Sequence, residues 1–280
     1  MTNKIGVMQG RLLPKYKNQY QSHPIGFWEG EFLIAKNLGL DLIEFIVDLD
    51  CIEANPMMSE SGLLRVEHIK KNTNVSVTSI CADCFMAAPL HSSDLRIAEK
   101  SIEYLRQLIF HGSKIGITDI VIPCVDQSSL KSLNDINCFV RALNCTLSDA
   151  EYYNINLCLE TDLNPIKFSR LLDYFSSPKV TVNYDTGNSA SLGYDCKEEL
   201  SAYGERISDI HIKDRIRGGN SIFLGEGNMN FPRFFEALKK FDYKGPFILQ
   251  AYRDDEGISV FKKQLNWIKP YLSDYLGEAF

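Results

Sequence analysis

Four apolar segments in the second half of the sequence each finish on a side chain that can bind a hard metal ion. Their last residues are Glu160, Asp185, His211 and Gln250. Burying an ionised carboxylate at the end of an apolar strand is costly unless a cation or a hydrogen-bond donor compensates for its charge. One divalent ion would compensate two carboxylates together, and this set offers three oxygen ligands and one nitrogen ligand. We therefore expect a metal site formed by these four residues.

Each of these residues also has an ordinary explanation. A strand-terminal Asp or Glu often caps the next helix or pairs with an Arg, and for one such residue alone that explanation would be preferred. Four of them in register on consecutive segments favour the metal site instead.

Short β-type runs alternate with amphipathic helix-type runs along the whole chain, which predicts parallel strands with crossover helices. Because no G-x-G-x-x-G motif follows the first strand, a closed barrel is favoured over an open doubly wound sheet. We expect an α/β fold consisting of a single (β/α)8 TIM barrel that spans residues 1–280, with its strand ends meeting at one mouth. The eight predicted strands are Ile5–Gln9, Leu40–Ile46, Val75–Asp83, Ile117–Pro123, Ile155–Glu160, Val180–Asp185, Ile207–His211 and Pro246–Ala251.

Helix signals occur between these strands. Apolar residues recur at helical spacing from Leu95 to Ile109 and from Ile258 to Ile268, and each set predicts one core-facing helix surface. Asn164 followed by Pro165 predicts an N-cap and the first position of a helix.

Composition excludes several classes of protein. A net charge of -6 and a pI near 5.5 argue against a nucleic-acid partner, which requires a clustered basic face. No apolar run approaches the length of a membrane span, and Met1–Lys4 lead into the first strand without a signal-peptide pattern. We expect a cytoplasmic protein that does not bind membranes.

Eight cysteines are scattered along the sequence and are expected to be reduced thiols. Cys81 and Cys84 match C-x-x-C, which raises a redox or zinc role as an alternative. Residues three apart on a strand point to opposite faces, however, and no second pair follows.

The chain resembles the xylose isomerase-like TIM-barrel superfamily, which includes sugar epimerases of the tagatose 3-epimerase and xylulose-5-phosphate 3-epimerase type. The resemblance spans nearly the whole chain. It is carried by Val7–Leu12, Leu159-Glu160, Asp185-Thr186-Gly187-Asn188, His211-Ile212-Lys213-Asp214, Leu224-Gly225-Glu226-Gly227 and Tyr243-Lys244-Gly245-Pro246. It implies a divalent-metal-dependent isomerase or epimerase that acts on a small sugar or sugar phosphate, with one Mn²⁺, Mg²⁺, Co²⁺ or Zn²⁺ ion. Homodimers or homotetramers are also implied.

By this resemblance the motif positions at Glu160, Asp185, His211 and Gln250 hold the metal, and the first and last are glutamates that also move protons. Here the last is glutamine, and an amide does not exchange a proton at neutral pH. Glu160 is then the expected base that forms an enediolate. The second acid/base is left open between His91, Glu44 and Lys213.

Two other functions compete with this interpretation. A non-catalytic or regulatory sugar-binding barrel would explain the missing glutamate, since a fold does not fix an activity. An endonuclease IV-like hydrolase is less favoured, because such enzymes assemble three zinc ions with many histidines and only five histidines occur here.

Several residues are expected to contact the substrate. A basic loop with two glycines follows the His211 strand and would suit a phosphate group, although a solvated surface loop would look the same. Asn188, Glu44 and Arg11 complete the predicted substrate contacts. The basic residues of the loop are Lys213, Arg215 and Arg217. Arg11 and Arg253 are further candidates for binding a phosphate or carboxylate group. Gln9, Glu44 and Asp83 fall near strand ends, where ordinary hydrogen bonding at the mouth explains them equally well, and Phe27 and Trp28 are expected as an apolar wall or as helix-packing residues.

Overall fold

Eight parallel strands close into a barrel in the computed structural model, which describes residues 3–277. The strands pair in the circular order β1-β10-β7-β6-β5-β4-β3-β2. This confirms the predicted (β/α)8 barrel, while the domain expected over 1–280 extends beyond the described residues at both ends. The strands are β1 (Ile5–Met8), β2 (Leu42–Ile46), β3 (Ser79–Cys81), β4 (Asp119–Cys124), β5 (Asn156–Thr161), β6 (Val180–Asp185), β7 (Ile207–Ile212), β8 (Asp214–Arg215), β9 (Ser221–Ile222) and β10 (Phe247–Leu249).

Helices connect the strands and cover the outside of the barrel. The two longest helices, Leu95–Ile115 and Ile258–Leu276, contain the two segments with apolar residues at helical spacing. The helices are α1 (Gly30–Asn37), α2 (Glu60–Thr73), α3 (Cys84–Ala87), α4 (Leu95–Ile115), α5 (Leu133–Asn144), α6 (Leu147–Tyr152), α7 (Pro165–Leu172), α8 (Thr186–Leu192), α9 (Cys196–Tyr203), α10 (Phe231–Leu238) and α11 (Ile258–Leu276).

Strand residues alternate between two apolar clusters. On β4, Ile120 and Ile122 join a large cluster that also contains the helix residues, whereas Val121 joins a small cluster built mainly from strand residues. The small cluster therefore fills the inside of the barrel, and it includes Cys158 and Ile248. Because side chains alternate along a strand, residues two positions later also point inward, and these are Glu160 and Gln250.

The β3 segment is shorter than predicted. Of the expected strand Val75–Asp83, only Ser79–Cys81 pairs as a strand, with an isolated bridge between Ser76 and Leu42. Asp83 lies just before α3 with helical backbone angles, so the chain turns at the mouth earlier than the apolar pattern indicates. The ribbon formed by β8 and β9 was not predicted.

The N-cap predicted at Asn164 is present. Its side-chain oxygen accepts a hydrogen bond from the backbone N–H of Lys167 at 3.0 Å, and Pro165 occupies the first helical position of α7. Removing such a cap costs about 1 kcal/mol. We expect Asn164→Ala to lower the thermal midpoint by roughly 2–4 °C, measured by circular dichroism. Asn164→Ser should stay near the wild type, and an equal loss in both variants would contradict the capping role.

All eight cysteines are free thiols. Cys81 belongs to the cluster inside the barrel and Cys84 to the cluster beneath the helices, so the two thiols of the C-x-x-C motif face opposite sides as expected. Within residues 3–277, no helix is long and apolar enough to cross a membrane.

Candidate active site at the barrel mouth

Three of the four predicted metal ligands converge at the carboxyl end of the barrel. One side-chain oxygen of Glu160, one of Asp185 and one ring nitrogen of His211 all lie within 4.8 Å of one another. The pairing of β6 with β7 shifts register between Val182 and Asn183, and beyond that shift Asp185 lies directly opposite His211. All three side chains are buried, so two carboxylates and an imidazole lie close together away from solvent.

Two asparagines hold the Glu160 carboxylate. Asn188 Nδ2 donates to Oε1 at 2.6 Å, and Asn183 Nδ2 donates to Oε2 at 3.0 Å. Burial raises the pKa of Glu160 to about 7 and the Asp185 charge adds to the rise, whereas His211 and Lys213 oppose it. A carboxyl group with a pKa near neutrality can both accept and return a proton, which suits an acid/base role.

Asp185 serves as a helix cap as well as a candidate ligand. Its Oδ1 accepts hydrogen bonds from the backbone N–H groups of Gly187 and Asn188, each at 2.8 Å, at the start of α8. Its Oδ2 faces Lys213 Nζ at 3.3 Å. A Cβ on Gly187 would lie 2.6 Å from Cγ of Lys213, so the glycine of this motif makes room for the lysine stem.

Glu44 of β2 forms a hydrogen bond with the His211 ring on the side away from Glu160. The ring Nε2 donates to Glu44 Oε1 at 2.7 Å, and Nδ1 lies 3.8 Å from Glu160 Oε2. Burial lowers the pKa of His211, but Glu44 outweighs it and the net pKa rises to about 9. Both oxygens of Asp209 are buried without a hydrogen-bond partner beneath this pair, and burial raises the Asp209 pKa well above its ordinary value.

Glu44 therefore does not lie where the predicted contact with the substrate would require it. The side chain is fully buried and lies two residues before the end of β2, on the side of the His211 ring away from Glu160. A second hydrogen bond, from Ser79 Oγ at 2.6 Å, fixes its other oxygen. This geometry suits a residue that orients His211.

Gln250, the fourth predicted ligand, is tied to the others through Lys213. Lys213 Nζ donates to Gln250 Oε1 at 3.0 Å as well as to Asp185. On its other side the Gln250 amide donates to Gln21 Oε1 at 3.0 Å. The amide oxygen of Gln250 thus points toward the Asp185 side of the site, and its nitrogen points toward the loop after β1.

The basic loop folds as the β8–β9 ribbon around Asp214. Asp214 accepts backbone hydrogen bonds from Gly225, Gly227 and Met229 at 2.9–3.0 Å, which joins two of the sequence motifs. Arg215 donates to Asn188 Oδ1 at 2.8 Å and so connects the ribbon to the residue that holds Glu160.

Arg217 of the same loop is exposed. Its guanidinium lies against Gly193, where an added Cβ would meet Cζ at 2.7 Å. Arg215 and Arg217 are thus carried together on the ribbon beside the mouth.

The two other arginines considered for an anion are buried. Arg11 donates to the carbonyls of Ala251 and Tyr20 and to Gln21, and Arg253 donates to the carbonyls of Gly10 and Leu13. These hydrogen bonds connect the loop after β1 with the loop after β10. Arg11 was expected to contact the substrate, but its guanidinium is buried and bound to these loops instead.

The remaining residues that the sequence suggested, including the candidate acid/base His91, pack against or lie close to other residues of the protein, with Phe27 as the exposed one. The Trp28 ring is in the core and packs edge-on against Phe32 and Phe45, while Phe27 is exposed. His91 packs edge-on against Phe139 of α5. Gln9 is fully buried and its Oε1 lies 2.9 Å from Nδ1 of His23.

Sequence reasoning did not single out Asn183, Asp209 or Gln21. The first two lie two residues before Asp185 and His211, so the period of a strand places them on the same inner face, and that signal could have identified them. Gln21 lies in a loop without periodicity and carried no such signal.

Comparison with known proteins agrees with this architecture. The family model described as xylose isomerase-like TIM barrel matches residues 32–271. The L-ribulose-5-phosphate 3-epimerase UlaE of Salmonella typhimurium is 27% identical over 252 residues, covering 86% of this chain and 89% of the relative.

Solved structures share the fold. The D-allulose 3-epimerase of Methylomonas sp., in complex with D-allulose, superposes with a TM-score of 0.73 at 19% identity, covering 96% of this chain and 97% of that one. The IOLI protein with a binding zinc atom gives a TM-score of 0.77 at 14% identity, covering 97% and 99%.

Proposed function

The chain belongs to the xylose isomerase-like TIM-barrel family, and from that membership we propose that it is a divalent-metal-dependent epimerase or isomerase of a small sugar phosphate. The observation that carries the proposal is the convergence of Glu160, Asp185 and His211 ligand atoms within 4.8 Å of one another. The named relatives are sugar epimerases, which indicates the substrate class.

The donor set fits a divalent ion. Glu160 and Asp185 supply two negative charges, His211 Nδ1 supplies nitrogen, and the neutral Gln250 oxygen completes an oxygen-rich set suited to Mn²⁺, Mg²⁺, Co²⁺ or Zn²⁺. Such an ion, when bound, polarises the substrate carbonyl and so acidifies the adjacent C–H group.

Glu160 is the base in this proposal. Its two asparagine partners fix the carboxylate while its raised pKa, about 7, keeps it able to take and return a proton near neutral pH. Removal of the proton next to the carbonyl gives an enediolate, and the buried surroundings of Glu160 keep bulk water away from it.

The phosphate of the substrate would bind at the β8–β9 ribbon. Arg215 and Arg217 approach the mouth from this ribbon, and a guanidinium can bind phosphate through two parallel hydrogen bonds. Binding of a sugar phosphate should then weaken with added salt, whereas binding of the free sugar should not.

Proton exchange tests the proposal directly. The protein with Mn²⁺ is incubated in D₂O with L-ribulose 5-phosphate, L-ribulose and D-allulose, and loss of the C–H signal next to the carbonyl is followed by ¹H NMR. We expect exchange to require Mn²⁺ and to be faster with the phosphate. If no ketose or ketose phosphate of a wider panel shows exchange, the proposed function is rejected.

Gln250 supports one competing function, a barrel that binds sugars without turning them over, because the amide cannot exchange a proton. The same experiment separates the two functions. Mn²⁺-dependent binding of the sugars without any C–H exchange would favour the non-catalytic barrel.

The hydrogen bond from His211 to Glu44 should tune metal binding. Groups that orient a ligating histidine typically contribute 10–100-fold to metal affinity, so we expect Glu44→Leu to weaken Mn²⁺ binding by about that factor. Glu44→Gln keeps an acceptor for Nε2 and should lose less. Calorimetric titration with Mn²⁺ measures the affinity of both variants. Their thermal unfolding without metal shows whether the fold is intact. Unchanged Mn²⁺ affinity in Glu44→Leu would contradict the orienting role.

A further inference from the structure

An epimerase needs two proton-exchanging groups, one on each face of the enediolate, and the site described so far offers only Glu160. We propose that Asp83, between β3 and α3, is the second of these groups and faces the substrate from the side opposite Glu160. This inference rests on the proposed function. It assigns to Asp83 the role that an amide at position 250 cannot perform.

Gln21 links Asp83 to Gln250 through two hydrogen bonds, and this link locates the Asp83 carboxyl group. Gln21 Nε2 donates to Asp83 Oδ2 at 2.7 Å, while Gln21 Oε1 accepts from Gln250 Nε2 at 3.0 Å. A single amide group therefore separates the Asp83 carboxyl from the side chain of Gln250. Asp83 reaches the same part of the mouth as residue 250.

The carboxylate of Glu160 is held by partners on a different side of the mouth from the Gln21 link. This carboxylate is bound from the β6 side, by Asn183 of β6 and Asn188 of α8, whereas Asp83 follows β3, which β4 separates from β5 in the circular strand order. The hydrogen bonds through Gln21 tie Asp83 to the loop after β1 and to Gln250 after β10, on the side of β3 away from β5. A small molecule seated at the mouth would thus have Glu160 on one side and Asp83 on the other.

The surroundings of Asp83 suit proton transfer. Burial raises its pKa, and the hydrogen bond from Gln21 opposes the rise. The Cys81 thiol donates to Oδ1 at 3.1 Å, and the residue is only half-buried, so part of its surface is free for a ligand. Burial of this kind favours the protonated carboxyl group over the charged one.

The candidates named from the sequence are less well placed. His91 lies against Phe139, Glu44 lies behind His211, and Lys213 Nζ is shared between Asp185 and Gln250. Among the described residues, Asp83 combines a carboxyl group, partial exposure and a link to residue 250.

The proton balance is simple. Glu160, ionised, removes the proton from the carbon next to the carbonyl, and the C–H electron pair moves into the enediolate. Asp83, protonated, delivers its proton to the same carbon from the opposite face, which restores the carbonyl with inverted configuration. Glu160 then carries a proton and Asp83 a negative charge, and exchange with water resets both. In the reverse direction the two roles interchange.

The same network explains an amide at position 250. Gln21 Oε1 accepts from Gln250 and also from Arg11 Nη2 at 2.8 Å, so it presents only lone pairs to residue 250. A carboxylate there would face this oxygen unfavourably unless the Gln21 amide turned over, which would then present its oxygen to Asp83. A carboxyl at 83 and an amide at 250 are mutually consistent.

The test compares inversion with exchange in Asp83→Asn. The variant is isosteric and keeps an acceptor for Gln21. With Mn²⁺ and L-ribulose 5-phosphate in D₂O, or with the panel compound that the wild type exchanges fastest, we expect inversion to fall at least about 100-fold. Deuterium incorporation without inversion should remain within a few-fold of the wild type, because Glu160 is intact.

Three further variants sharpen the comparison. Asp83→Asn/Gln250→Glu should regain inversion, since a carboxyl group returns to the same part of the mouth. Asp83→Glu should retain part of it. Asp48→Asn is the matched control, because the Asp48 carboxyl accepts from the His23 N–H at 2.6 Å and has no bond to Gln21 or Gln250; it should invert the substrate like the wild type.

The outcomes are distinct. Inversion by Asp83→Asn at the wild-type rate, or an equal fall in inversion and exchange, overturns the role of Asp83 while the proposed function stands. Exchange without inversion in the wild type also overturns it, since the enzyme is then an isomerase. Absence of exchange in the wild type across the panel rejects the proposed function and this inference together.

Discussion

Glu160→Gln is expected to lower C–H exchange next to the substrate carbonyl by about 1000-fold, within the 10²–10⁴-fold range that general-base catalysis contributes. The amide cannot take the proton, whatever the substrate. Exchange in D₂O with saturating Mn²⁺ and the panel compound that the wild type exchanges fastest measures the effect.

The fold should tolerate this substitution. Asn188 and Asn183 each donate to one oxygen of Glu160, so a glutamine presents one N–H group to one of them. The Oδ1 atom of Asn183 is buried without a hydrogen-bond partner, and a turned Asn183 amide can accept that N–H group while giving up the 3.0 Å contact between its Nδ2 and His211 Nδ1. The thermal midpoint should therefore fall by only about 2–4 °C.

Glu199→Gln is the matched control for Glu160→Gln. Glu199 is also a buried glutamate near the carboxyl end of β6, but it accepts hydrogen bonds from the hydroxyls of Tyr184 and Tyr203 at 2.8 and 3.0 Å. It should keep full exchange. If Glu160→Gln retained a tenth or more of the wild-type rate at saturating Mn²⁺, Glu160 would be a metal ligand and not the base.

The barrel could be predicted from sequence because its signal is distributed over the chain. Eight apolar runs at regular spacing, each followed by a helical pattern, leave few other arrangements. Strand alternation then directs Glu160, Asp185 and His211 inward, and the parallel order brings them to one mouth. The structure places them together within 4.8 Å.

Depth within the barrel was harder to predict. Glu44 was expected at the mouth because it lies near the end of β2, but two residues of strand separate it from that end. At about 3.3 Å of rise per residue, this places its carboxylate below the mouth, where it meets Nε2 of His211. The apolar pattern gives the direction of a strand residue but only a coarse depth.

Loop residues were the least predictable. Arg11 was expected to bind substrate, but its guanidinium partners come from the carbonyls of Tyr20 and Ala251, one of them 240 positions away. Gln21 links Asp83 to Gln250 through contacts that are also distant in sequence. No periodicity encodes such contacts, so the sequence carries no local signal for them.

The proposed metal site should respond most strongly to Asp185→Asn, because this change removes one of the two negative ligands in the proposed set. The new amide can keep the α8 cap, since Asp185 Oδ1 accepts from Gly187 and Asn188 and an amide oxygen does the same. The cap is therefore kept, while the negative charge is lost and an amide NH2 group replaces the Oδ2 atom that faces Lys213. We expect Mn²⁺ affinity to fall more than about 100-fold, beyond the 10–100-fold effect of changing groups behind the ligands. Mn²⁺ at 100 times the wild-type Kd, which should stabilise the wild type by about 2.7 kcal/mol, should then raise the variant's thermal midpoint little.

Gln250→Glu tests the effect of ligand charge by adding a carboxylate to the proposed set, whereas Asp185→Asn removes one. The introduced carboxylate would lie beside Lys213 Nζ, now 3.0 Å from the Gln250 oxygen, and would give the ion a third negative ligand, so Mn²⁺ should bind at least about 10-fold more tightly than in the wild type. The combined variant Asp185→Asn/Gln250→Glu restores the wild-type count of two carboxylates and should recover most of the lost affinity. If Gln250→Glu leaves the Mn²⁺ affinity unchanged and the combined variant binds as weakly as Asp185→Asn, then residue 250 does not reach the ion, and the site is held by Glu160, Asp185 and His211 alone.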